Sequence, residues 1–175
     1  MFKEEICAML TTDHRNFTDY ITSLNDEELL KSPPDKWNAG QHLDHIIRSV
    51  SAVRQALRVP KMILRIIFPK ANRPSKDYEG LVEKYKSRLQ QGGKAGGRFI
   101  PATIKATDKN NLVQKLNQQV NKLCDLLKDY NEDDLDSITL PHPLLGRLTM
   151  REMLYFTIYH VQHHHRLAGG TGFEV

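Results

Sequence analysis

The sequence predicts an all-α fold, a four-helix bundle with a long basic crossover between its second and third helices. Three observations lead there. Apolar residues recur at spacings of three and four through four long segments, turn-forming stretches separate those segments, and no segment reads as a convincing strand. A chain of 175 residues and 20.2 kDa is long enough to bury a real core, and we read positions 1–175 as a single domain.

The first helix is expected over 2–24, where Ile6, Leu10, Phe17, Ile21 and Leu24 fall at helical spacing. The polar break "NDEELLKSPPDKW" follows, and its two prolines and Asp35 stop a helix. Asn38 is a good N-cap with Gln41 three positions on, so the second helix should start there and run to about Val59, where Pro60 ends it. The middle, 61–107, is less regular: "DYEGLVEKYKSRLQ" suits a short helix and "GGKAGGRF" a flexible loop. As a phosphate cradle that loop is weak, because no Lys-Ser/Thr pair follows its last glycine. The third helix is expected over 108–130, with Leu112, Leu116, Val120, Leu123 and Leu127 in register. A turn-rich loop (131–148) then leads to the last helix, opened by a Thr149/Glu152 capping box and closed near Gly169.

Composition narrows the function classes. No apolar run approaches the ~20 residues of a membrane span; the longest, "MILRIIF", is interrupted by Arg65. The N-terminus "MFKEEICAML" sets acids before its apolar patch, unlike a secretory signal, so a cytoplasmic location is expected. Cys7 and Cys124 are far apart in sequence and read as small buried hydrophobes. The net charge of +4 is uneven: positions 60–105 hold eleven Lys or Arg against three acids. That block reads as a solvated connection, since it lacks the interleaved aromatics of a single-strand binder. Nucleic acid is therefore not an expected partner.

The stretch "YHVQHHHRL" packs four of the eight histidines into six positions, and "WNAGQHLDHIIRS" holds two more. At ~100° per residue, Met150, Leu154, Val161 and Ala168 share one side of the last helix, and Tyr155, Tyr159, Gln162 and Arg166 lie opposite. His160 and His164 fall on the inward half, one turn apart, so both rings can converge on one point. His163 sits on the flank and His165 on the other edge. In the second helix the polar side is Gln41, Asp44, Arg48, Gln55 and Arg58. His42 lies centrally opposite it, and His45 lies at the margin in line with Ser49, Ala52 and Ala56. The wheel does not choose between His42 and His45, though it favours His42 as the more buried.

Imidazole ligates zinc, nickel, copper or iron, and two rings one turn apart plus a third from another helix make a facial set with room for water. The competing reading is a group of hydrogen-bonded core histidines. A zincin protease is not supported, because Val161 follows His160 where HExxH needs glutamate.

The segment "WNAGQHLDHI", with Trp37 eight positions before His45, resembles the second-helix signature of the DinB/YfiT-like superfamily. "HPLLGRLTMREMLYFTIYHVQHHHRL" is similar to its last-helix pattern, a histidine followed four residues later by another. The resemblance covers nearly the whole chain. It implies a four-helix bundle, often a homodimer, with three histidines binding a divalent metal, zinc or nickel. Carried over by motif position, the metal ligands are His45, His160 and His164; the resemblance thus prefers His45 to His42 and gives His163 and His165 no ligand role. It also implies a metal-dependent hydrolase, or a thiol-dependent S-transferase whose partner is a low-molecular-weight thiol such as bacillithiol or mycothiol.

The leading expectation is therefore a metal-dependent enzyme acting on a small molecule, with no general base named. His42 is a candidate neighbour to the ligands, His142 is expected in a turn, and Trp37 in the core or the pocket wall. If the chain pairs, "KMILRIIF" can contribute to the dimer contact. The alternative is a non-catalytic metal- or ligand-binding, stress-related protein, which would retain metal without turnover.

Overall fold

The computed structural model of the protein describes residues 1–32 and 34–170. It is mostly helical, with one small sheet. In chain order the elements are α1 (Lys3–Ser23), α2 (Asp26–Leu30), α3 (Ala39–Leu57), α4 (Lys61–Ile67), α5 (Tyr78–Gln90), α6 (Lys109–Leu127), α7 (Glu132–Ser137), the strands β1 (Thr139–His142) and β2 (Gly146–Thr149), and α8 (Met150–Leu167). Two 3-10 turns, Gly97–Phe99 and Ala106–Asp108, bridge α5 to α6.

The long helices start where their caps dictate. Asn38 accepts from the Gln41 amide (2.8 Å) while the Gln41 side chain accepts from the Asn38 amide (3.1 Å), opening α3. Thr149 and Glu152 do the same for α8. Gly169 takes the left-handed conformation that ends α8, at φ 98°. Helix α1 packs against α6 and α8, and α3 packs against the same two. Leu10 and Phe17, Leu43 and Ile47, Leu116 and Leu123, and Leu154 and Ile158 fill the space between them, all essentially inaccessible to water. Each such side chain contributes about 1.5–3 kcal/mol by burial.

Several features depart from the sequence reading. The break after α1 contains the one-turn helix α2, capped by Asn25 onto the Glu28 amide. The expected loop over 131–148 holds α7 and the β1–β2 hairpin, too short for periodicity to register. Leu140 faces Leu148 across that hairpin, both buried. His142 closes its turn, Nδ1 accepting from the Leu144 and Leu145 amides (3.1 and 3.0 Å), while Gly146 adopts φ 74°. Helix α8 is buried on nearly every face, including Tyr155 and Tyr159, which the wheel placed on its polar side. The reason is α5, which lies along that side and meets Tyr159 and Phe156 with Tyr85.

The basic middle segment is drawn onto the protein by ion pairs. Lys61 and Arg65 both bind the buried Asp134 (2.7 Å each), and Arg73 grips Glu152 with two nitrogens (2.6 and 2.9 Å). Lys84 donates to the Leu145 carbonyl (2.8 Å). These four cations are thus already engaged within the chain. Helix α4 leaves Met62, Ile63, Ile66 and Ile67 exposed. Among the described residues no helix is long and apolar enough to cross a membrane.

Candidate metal centre

Helix α3 contributes His42 and His45, and α8 contributes His160 and His164, where the two helices face each other. The i, i+4 spacing in α8 brings the rings of His160 and His164 to 4.6 Å between centroids at 89°. His45 completes the group, its ring 4.9 Å from His160 and 4.5 Å from His164. One ring nitrogen from each of His45, His160 and His164 lies within 4.8 Å of the other two, and all three residues are buried.

The tautomer of His45 follows from its surroundings. Its Nδ1–H donates to the Phe99 carbonyl at 2.7 Å, so in the neutral ring Nε2 carries the lone pair. That Nε2 points at His160 Nε2, 3.1 Å away. Nitrogens sharing a zinc ion at ~2.0–2.1 Å sit roughly 3.0–3.4 Å apart, so this separation fits two ligands of one cation as well as a hydrogen bond donated by His160. A carbonyl on the far ring nitrogen is also the usual orienting partner of a metal-bound imidazole.

The Phe99 carbonyl is itself held in place. Asp44 accepts from the Ala102 amide (2.9 Å) and from Arg48 Nε (2.6 Å), and Arg48 donates onward to the Arg98 carbonyl (3.2 Å). Residues 98–102 therefore form a strap across α3, tied on both sides of Phe99. The wheel placed Asp44 and Arg48 on the solvent face; the strap is what buries Asp44 there.

His42 and His45 are equally buried, so the wheel's preference for His42 does not hold. The two have different partners: His42 Nδ1 meets His164 Nδ1 at 2.8 Å, outside the three-nitrogen group. Trp37 is half-buried rather than core, and its indole lies against the rings of His42, His45 and His164. His163 stays on the flank beside Tyr85. His165, expected at an edge, is buried against Phe17 and Tyr20 of α1. His142 is in its turn, edge-on to Phe156.

Burial, and then the neighbouring histidines, hold His160 and His164 well below the ordinary imidazole range. Burial lowers His45 too, and lowers His42 to about 4. All four rings are neutral at physiological pH, the form in which imidazole binds a metal. The donor set fits a borderline divalent ion such as zinc or nickel, with three neutral nitrogens and no thiolate.

One participant was not visible in the sequence: the Phe99 carbonyl, a backbone atom that no residue type announces. Outside the centre, a further buried histidine, His14 of α1, donates through Nδ1–H to the Leu10 carbonyl (2.7 Å), and its Nε2 has no hydrogen-bond partner among the described residues. Its place in the Ile6–Leu10–Phe17–Ile21 stripe was the available signal.

A helical protein with three neutral imidazoles converging in its interior belongs to the class of potential histidine-only metal proteins. The chain belongs to the DinB superfamily, whose family model matches residues 9–168. No curated protein and no solved structure matches it.

Proposed function

We propose that the protein binds one divalent ion, zinc or nickel, through His45, His160 and His164, and uses it in hydrolysis or thiol S-transfer on a small-molecule substrate. The convergence of those three ring nitrogens supports this most directly. Three protein ligands leave coordination positions for water or a substrate thiol. When bound, such an ion supplies Lewis acidity and lowers the pKa of a coordinated water or thiol.

The chain's own residues prepare the site. The Phe99 carbonyl fixes the tautomer of His45, and the strap keeps that carbonyl from turning away. His42 Nδ1 and His164 Nδ1 lie 2.8 Å apart; with the proton on His164, His42 accepts it and His164 Nε2 is left for the ion. Trp37 covers three of the rings and limits the access of bulk water. The same reading takes the domain to be a four-helix bundle that works as a cytoplasmic homodimer, paired through the exposed α4 residues Met62, Ile63, Ile66 and Ile67.

Elemental analysis of protein made without a histidine tag tests the centre. About one equivalent of metal is expected in the parent and none in His160→Ala or His45→Ala. A parent that takes up no stoichiometric metal on reconstitution overturns the proposal. Turnover of an electrophile by the loaded protein, with and without a low-molecular-weight thiol, then separates the chemistries: thiol-dependent loss marks transfer, and thiol-independent ester or amide cleavage marks hydrolysis.

A further inference from the structure

Cys7 and Cys124 are 117 positions apart, yet α1 and α6 lie side by side and bring them together. Cys124 Sγ sits 3.8 Å from the Cys7 carbonyl oxygen and 3.9 Å from Thr11 Oγ1. Thr11 in turn donates to that same Cys7 carbonyl at 2.9 Å. Cys124 thus lies directly against Cys7 across the α1–α6 contact. Both residues are only partly buried, so a small oxidant can reach them. The sequence reads both as small buried hydrophobes; in the fold they lie together and are only partly buried.

We propose that Cys7 and Cys124 form a reversible dithiol site, which hydrogen peroxide closes into an intramolecular disulfide between α1 and α6. The metal centre uses no thiolate, so this site is separate from the proposed function. The two thiols shift one another, Cys124 downward and Cys7 upward. In this scheme Cys124 attacks and Cys7 resolves, an order the single-cysteine variants below test.

In the first step the Cys124 thiolate attacks one peroxide oxygen and the O–O bond breaks. The departing hydroxide takes up the proton released by the thiol and leaves as water, while Cys124 becomes a sulfenic acid. In the second step the Cys7 sulfur attacks the Cys124 sulfur, an S–S bond forms and the S–OH bond breaks. The hydroxide leaves with the Cys7 proton as a second water. Each cysteine sulfur gives up one electron and peroxide accepts two.

The test uses the full chain under a small excess of hydrogen peroxide, read by thiol alkylation and intact mass. A monomeric product about 2 Da lighter than the reduced protein is expected, with neither cysteine alkylatable and both recovered by dithiothreitol. Proteolysis should release a peptide pair joined through Cys7 and Cys124. In Cys7→Ser, a dimedone-trappable sulfenic acid should accumulate at Cys124. In Cys124→Ser, oxidation of Cys7 should slow by about tenfold or more. Two thiols that stay alkylatable, or oxidation that yields only chains crosslinked to one another, overturns the proposal, and the parent protein alone suffices for that result.

Discussion

His42 makes one polar contact with the site, its Nδ1 against His164 Nδ1 at 2.8 Å. If that contact orients a metal ligand, its loss should weaken metal binding without unfolding the protein. His42→Phe keeps the volume and the contact with Trp37 but cannot accept a proton, and metal affinity should fall by about 10–100-fold. His42→Asn, which can still accept, should recover part of it. Competition titration with a chromophoric chelator measures both; unchanged affinity in His42→Phe would reduce His42 to packing. The sequence could show that His42, His45, His160 and His164 lie on facing helical surfaces, because periodicity fixes direction around a helix axis. Which rings share a point depends on how far α3 and α8 are rotated against each other, and a wheel holds no such information. The tautomer of His45 was further out of reach, since it depends on the carbonyl of Phe99, 54 positions away.

Elements were legible where side chains close their own backbone. Asn38 with Gln41 and Thr149 with Glu152 are local devices, and both helix starts fall where those pairs put them. Two of the short pieces carry the same device, Asn25 with Glu28 at α2 and Asn131 with Asp134 at α7, but they and the hairpin offer too few residues for a period to show. Helix α8 misled for a related reason: its second apolar face answers to α5, an element whose position the sequence does not state. Glu152 shows how a local cap becomes a tertiary one. Its carboxylate is fully buried and accepts from the Thr149 amide (2.9 Å), the Lys76 amide (2.8 Å) and both Arg73 nitrogens. Burial alone would raise its pKa, but Arg73 and the two amides bring it below the ordinary carboxylate value. Arg73→Met should leave that charge poorly compensated and cost about 2 kcal/mol, less than a fully buried pair because the guanidinium is 38% exposed. Glu152→Gln in the Arg73→Met background should return part of the loss. Urea denaturation of the two variants and the parent measures it, and an unchanged midpoint for Arg73→Met would mean that the two amides alone satisfy Glu152.

Across the whole molecule the buried histidines make stability depend on acid. His14 and His142 both have pKa values lowered to about 4, chiefly by burial, against about 6.5 when exposed. Between those values the unfolded chain binds a proton at each position that the folded chain refuses. Stability therefore rises with pH through the window from about 4 to 6.5, is complete above it, and is lost as pH falls through it. The geometry agrees with the direction. A proton on His142 Nδ1 would confront the two amides that now donate to it, and a charge on His14 would sit in the apolar centre of α1. For His14, about 1% exposed, the shift corresponds to about 3 kcal/mol lost on acidification. His14→Phe keeps the volume and cannot titrate. Its stability should lie near that of the parent at pH 7.5 and exceed it by about 3 kcal/mol near pH 4. Denaturant melts of metal-free parent and variant across pH 4 to 7.5 check this: the curves should diverge steadily below pH 6.5, and curves that stay parallel would mean that His14 is not the buried neutral ring the fold makes it.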